Sequence, residues 1–138
     1  MDHREYGWQM NDQYEKLLTN LEILGTLLQE SNFAEYENQV ISFDYLSYSF
    51  QSKFHAVIFE GELVLKVRFE TQVFSESVFH FDVLINYFGN ISAIDLLVPE
   101  RNLNYFSSNT IEAYFDRLLG QFLEKSDFYH ENSIGDAL

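Results

Sequence analysis

The sequence predicts an α+β fold, an antiparallel meander of four to five strands bracketed by an N-terminal and a C-terminal amphipathic helix packed on one face. Apolar residues recur at helical spacing near both ends and at a period of two through the middle. Runs of strands flanked by helices, rather than strands alternating with helices, are the pattern of this class. The chain has a single Pro, and short connections join the periodic segments, so residues 1–138 read as one domain.

The first periodic segment opens at Asp12, an N-cap candidate with Glu15 three residues on. Tyr14, Leu17, Leu18, Leu21, Leu24 and Leu28 then form one apolar stripe, which Ser31-Asn32 closes. Residues 1–11 show no period and read as a loose arm, in which Tyr6 and Trp8 could dock. From about Val40 the period becomes two. Ile41, Phe43 and Tyr45 share one parity and Leu46, Tyr48 and Phe50 the other, a switch that suggests a β-bulge or bend near Tyr45-Leu46.

Glu60-Gly61 is a two-residue hairpin candidate after Phe54–Phe59, because Gly accepts positive φ. The clearest strand follows, with Leu63, Leu65, Val67 and Phe69 facing one way and a polar set, broken only by Val64, facing the other. A turn at Ser75-Glu76-Ser77 leads to Phe79, Phe81, Val83 and Ile85, and a last strand is expected from Ile91 to Val98, closed by Pro99. The final helix is capped in this reading by Asn109, with Glu112 three residues later. Ile111, Tyr114, Phe115, Leu118, Leu119, Phe122 and Leu123 make its apolar face. Residues 127–138 read as a polar tail.

Charge is the first unusual quantity. Twenty-two acids against eight bases give a formal charge of −14, beyond the magnitude of roughly 2–8 that keeps a small domain soluble. Such an excess costs stability through self-repulsion and opposes nucleic-acid binding, which needs clustered Lys and Arg. No base lies between Lys16 and Lys53, where Glu22, Glu30, Glu35, Glu37 and Asp44 sit. None lies between Arg68 and Arg101 either, a span holding Glu70, Glu76, Asp82, Asp95 and Glu100. Aromatic content is the second, at 17% with fourteen Phe and nine Tyr; acidic disordered chains are poor in aromatics, so this chain folds.

No segment reaches the roughly 20 consecutive apolar residues of a membrane helix, and Met1–Glu5 lacks the basic start and apolar run of a signal peptide. The absence of cysteine removes Cys-based metal sites and any sign of an oxidising compartment. The Asn90-Ile91-Ser92 sequon then carries little weight, and a cytoplasmic protein is expected.

Catalytic constellations are missing. His3, His55, His80 and His130 are scattered, and His80-x-Asp82 is the one pair a strand would place on a common face. No third ligand follows by spacing, so no metal is expected. No nucleophile elbow, Gly-rich phosphate loop or EF-hand run occurs. Ser107-Ser108 reads as part of a helix cap, while Glu35 with Glu37 and Glu60 with Glu62 read as solvated turns rather than acid–base pairs. The chain therefore reads as neither an enzyme nor a cofactor carrier.

Acid and aromatic surplus together point to a protein-binding module. Tyr and Trp supply rigid contact area, and one-signed charge steers a basic protein partner. An inhibitor or immunity-type protein blocking a basic enzyme, such as a nuclease toxin, fits first, with Glu35, Glu37, Asp44, Glu70 and Glu76 as the contact acids. His55–Phe59 and much of Tyr45–Phe50 are apolar on both parities, which suggests cover by a partner or by a second copy. In size, acidity and helix-bracketed sheet the chain resembles type III secretion chaperones, an architectural likeness that implies a homodimer binding an effector. A further alternative, a small-ligand-binding protein or enzyme, would instead need an aromatic-lined pocket.

Overall fold

The computed structural model describes the backbone of residues 3–73 and 77–125, with side chains from 11 to 71 and from 79 to 124. Helix α1 spans His3–Glu30 and helix α2 spans Ser108–Lys125. Between them run β1 (Glu35–Glu37), β2 (Val40–Tyr45), β3 (Tyr48–Phe59), β4 (Glu62–Val73), β5 (Ser77–Ile85), β6 (Asn90–Ala93) and β7 (Arg101–Asn102). The seven strands form one antiparallel sheet in chain order, β1 at one edge and β7 at the other. The expected class holds. The four to five strands expected are seven, because the period-two pattern hides short strands such as β1 and β7.

Three consecutive two-residue turns build the first half of the sheet. Asn38-Gln39, Leu46-Ser47 and Glu60-Gly61 all take positive φ, at 52° and 64°, 52° and 69°, and 52° and 79°, as tight hairpins require to match strand twist. The parity switch at Tyr45-Leu46 is thus a hairpin and not a bulge. Tyr45 pairs with Tyr48 and Phe43 with Phe50 across it, and because paired residues share a face the inward parity passes from odd to even at the turn.

That inward face comprises Ile41, Phe43, Phe50, Leu65, Val67, Phe69, Phe81, Val83, Ile85 and Ile91, all buried. Both helices cover it. Leu17, Leu21, Leu24 and Leu28 of α1 share one core with Ile111, Phe115, Leu118 and Leu119 of α2. Phe43 stacks on Phe50 and Phe69 on Phe81, each at 5.1 Å between ring centres. From α2, Phe115 meets Phe69 edge-on at 5.7 Å and Phe122 approaches Phe81 at 5.2 Å. Much of the aromatic surplus is therefore core.

Helix ends differ from the sequence reading. Helix α1 extends back to His3, so Asp12 is not its cap and residues 3–11 are helical rather than a loose arm. Its C-terminus is a Schellman motif. Asn32 takes the left-handed conformation (φ 62°) and donates its N–H to the Gln29 carbonyl at 3.0 Å, while Phe33 N–H reaches the Leu28 carbonyl at 3.0 Å. Phe33 then packs on Phe43 and Phe115. Helix α2 is capped by Ser107, not Asn109. The Ser107 N–H donates to Thr110 Oγ1 at 2.7 Å and the Thr110 N–H to Ser107 Oγ at 3.3 Å, a reciprocal cap. The expected strand from Ile91 stops at Ala93, and Gln121 binds both backbone groups of Leu97 instead, at 2.7 and 2.8 Å. The polar tail at 127–138 and the turn around Glu76 lie outside the described residues.

Candidate partner-binding surface

Cross-strand pairing fixes where the candidate acids stand. Glu35 pairs with Ser42, Ser42 with Gln51, Gln51 with Glu70 and Glu70 with His80, one row on the face away from the helices. Glu37 and Asp44 share that face, because Glu37 pairs with Val40 and Asp44 with Ser49. Glu35, Glu37, Asp44 and Glu70 thus lie on one surface, although they are scattered along the sequence. Glu76 falls outside the described residues.

The surface has two parts. At its centre the acids are paired with bases. Glu70 meets Lys53 Nζ at 3.0 Å, and Asp82 accepts two hydrogen bonds from Arg68, at 2.8 and 3.1 Å, with Lys66 at 3.7 Å. Burial pushes the Asp82 carboxyl up, but the hydrogen bonds and charge of Arg68, with Lys66 and His80 beyond, outweigh it and hold it below the usual carboxylate range. Asp82 is therefore paired with Arg68 and Lys66. Among the described residues no group of three His, Asp or Glu could hold an ion.

At the β1–β2 edge there is no base. Glu35, Glu37 and Asp44 are exposed, and none makes an ion pair among the described residues. Asp44 is oriented by Ser49, whose hydroxyl donates to Oδ1 at 2.6 Å across the hairpin. Glu35 and Asp44 line one open cleft of about 630 Å³, with Ser42, Ser49 and Gln51 on its polar side and Phe33 beneath; Glu37 and Glu70 stand outside it. Pairing of β1 with β2 stops at Ser42. Backbone groups alternate between neighbours along an antiparallel strand, so the N–H and C=O of Asp44 are the next to face the open edge. Chemically, the cleft accepts hydrogen bonds and neutralises cations.

A second exposed feature lies where the β3–β4 hairpin meets the turn between β5 and β6. Ile58, Phe59, Tyr87 and Phe88 are 65, 43, 41 and 68% exposed. The turn is held rigidly: Asn20, buried on α1, donates to the carbonyls of Asn86 and Tyr87 at 2.9 and 3.1 Å, and Asn102 donates to that of Phe88 at 2.9 Å. Sequence reading missed this support, since a lone Asn on a leucine stripe gives no sign of its partner.

No family model matches the chain, and neither a curated protein nor a solved structure is significantly similar to it. No helix among the described residues is long and apolar enough to cross a membrane. Fold and surface define an α+β chain with an acidic sheet edge.

Proposed function

We propose that the chain is an acidic protein-binding module that engages a basic protein partner through its β1–β2 edge. The reading is of the inhibitor or immunity type: the edge blocks a basic enzyme, such as a nuclease toxin, by placing carboxylates where a polyanionic substrate lies. The supporting observation is the separation of charge on one face. Glu35, Glu37 and Asp44 stand exposed with no ion pair among the described residues, while the acids at its centre are neutralised by Lys53, Lys66 and Arg68. One-signed exposed charge accelerates encounter with an oppositely charged partner.

The test is affinity capture from native extract with wild-type bait and with Glu35→Lys/Glu37→Lys/Asp44→Lys bait, across a salt series. A specific basic protein should be retained by the first, released as salt rises, and lost from the second. Equal retention of the same protein by both baits would overturn the reading.

The rigid apolar end supports a second reading, the secretion chaperone that dimerises and binds an effector segment. It predicts a homodimer in sedimentation that Phe88→Asp dissociates. A monomer at all concentrations favours the inhibitor instead.

A further inference from the structure

The edge opposite the acids carries a different feature. Between the 99–106 segment and α2 lies an open cleft of about 740 Å³, within the roughly 300–1,000 Å³ of small-molecule sites. Its walls are aromatic and apolar, with Phe106 and Tyr114 tilted together at 5.3 Å and Tyr105 and Pro99 at the rim. Arg101 and Arg117 both line it. They are two of only eight bases in a chain of twenty-two acids, yet neither makes an ion pair among the described residues. Arg101 is placed by register, opposite Ile91 on the helix-facing side of the sheet's last strand.

A third observation is independent of charge. Tyr114 is only 7% exposed, and its buried hydroxyl has no hydrogen-bond partner among the described residues. Buried hydroxyls are nearly always partnered, so an orphan at a cleft wall asks for an external one. The charges acting on this phenol belong to Arg101 and Glu100, both residues of the cleft. Burial pushes the phenol up to about 12, so at neutral pH it remains a hydrogen-bond donor. Thr71, the other orphan hydroxyl among the described residues, lies on the helix-facing side of β4 among core residues.

We propose that this cleft binds a small organic acid, a flat apolar body seated against Phe106 and Tyr114 with its carboxylate held by Arg101 and Arg117 and by the Tyr114 hydroxyl. A guanidinium matches a carboxylate in a two-point fork, and the paired aromatic walls suit a ring. Glu100 at the same wall offsets one of the two guanidinium charges, so the aromatic seat and not charge alone favours an organic acid over inorganic phosphate. The inference stands apart from the acidic edge, since the cleft lies beside β7 and shares no residue with it.

The test titrates naphthoate, the uncharged naphthylmethanol and inorganic phosphate into isotope-labelled protein, reading amide shifts. Naphthoate should give saturable shifts confined to residues 99–117 and bind at least about tenfold more tightly than the alcohol. Arg101→Gln and Arg117→Gln should each weaken it by about tenfold. Tyr114→Phe should weaken it about threefold without lowering the thermal midpoint, since the lost hydroxyl had no partner. Absence of saturable shifts at millimolar naphthoate would overturn the proposal. So would equal binding of acid and alcohol, or phosphate binding as well as naphthoate, which would make the arginines mere collectors of anions or guards of the β7 edge. The acid-to-alcohol comparison uses the wild-type protein and holds even where an arginine variant fails to fold.

Discussion

The two edges of the sheet are opposites. At the β1–β2 edge, acids stand exposed with no base paired to them among the described residues, and a backbone pair is open beside them. At the β7 edge, two bases stand beside an aromatic cleft with no ion-pair partner among the described residues. Between them the charges neutralise one another across β3, β4 and β5. The difference teaches that net charge is a poor guide to surface character. A chain of −14 still offers a site for an anion, because what a ligand meets is the local unpaired charge within about a Debye length.

The largest effect should come from breaking this separation at the acidic edge. Replacing Glu35, Glu37 and Asp44 by Lys should slow association with a basic partner by about 10²-fold at low salt, a change read by stopped-flow. Arg101→Gln, at the far edge, should leave that rate within about twofold. Comparable losses from both variants would mean that the two edges act as one surface.

Gly25 sharpens the comparison next. Added to its backbone, a Cβ would collide with the Tyr36 ring, so the helix must present hydrogen there for β1 to sit against it. Gly25→Ala should destabilise by about 2 kcal/mol in urea unfolding through overpacking, although Ala is the better helix former. Adding Tyr36→Ala should recover most of that loss, a coupling that a double-mutant cycle measures. Hydrogen exchange should quicken at β1 and not at β7.

The third effect is smaller and of the opposite sign. Leu46 and Ser47 hold φ of 52° and 69° at the tip of the hairpin that carries Asp44 and Ser49. Non-glycine residues pay a steric penalty in that region, least for Asn and none for Gly. Leu46→Asn/Ser47→Gly should raise stability by about 1 kcal/mol and leave the β7 cleft unchanged, as thermal unfolding and amide shifts would show.

Periodicity made the fold class legible, since the inward residues of β2, β4 and β5 and the stripes on both helices repeat as their elements require. Strands of two or three residues, such as β1 and β7, are too short to show a period. Leu46-Ser47 hid a hairpin because neither residue favours positive φ. The Asp12–Glu15 pair imitated a cap inside a longer helix. For the site, base-free spans of sequence singled out Glu35, Glu37 and Asp44, which the register gathers on one edge. The same logic placed Glu70 beside them, yet Lys53 from the neighbouring strand neutralises it. Linear spacing cannot see a partner contributed across a sheet. The arginine cleft was missed for the same reason: Arg101 and Arg117 meet only after β7 is laid against α2.

The smallest effect tests the neutral centre that keeps the two edges distinct. Asp82 is mostly buried beside Arg68, and its carboxyl is held below the usual range in the folded chain. A depressed carboxylate contributes stability that is fully present above its unfolded value, near pH 4, and is lost as pH falls through the lower folded value. Asp82→Asn should therefore cost stability at neutral pH by up to about 1 kcal/mol, as expected of a partly exposed pair. The gap between wild type and variant should begin to narrow below about pH 4 and close once pH passes the lower folded value, where the wild-type side chain is neutral as well. Unfolding midpoints in urea at a series of pH values would show the two curves converging in acid. A gap that persists at low pH would mean that Asp82 acts through packing and neutral hydrogen bonds. In that case the centre of the sheet is not held by charge pairing, and the contrast between its acids and those of the β1–β2 edge fails.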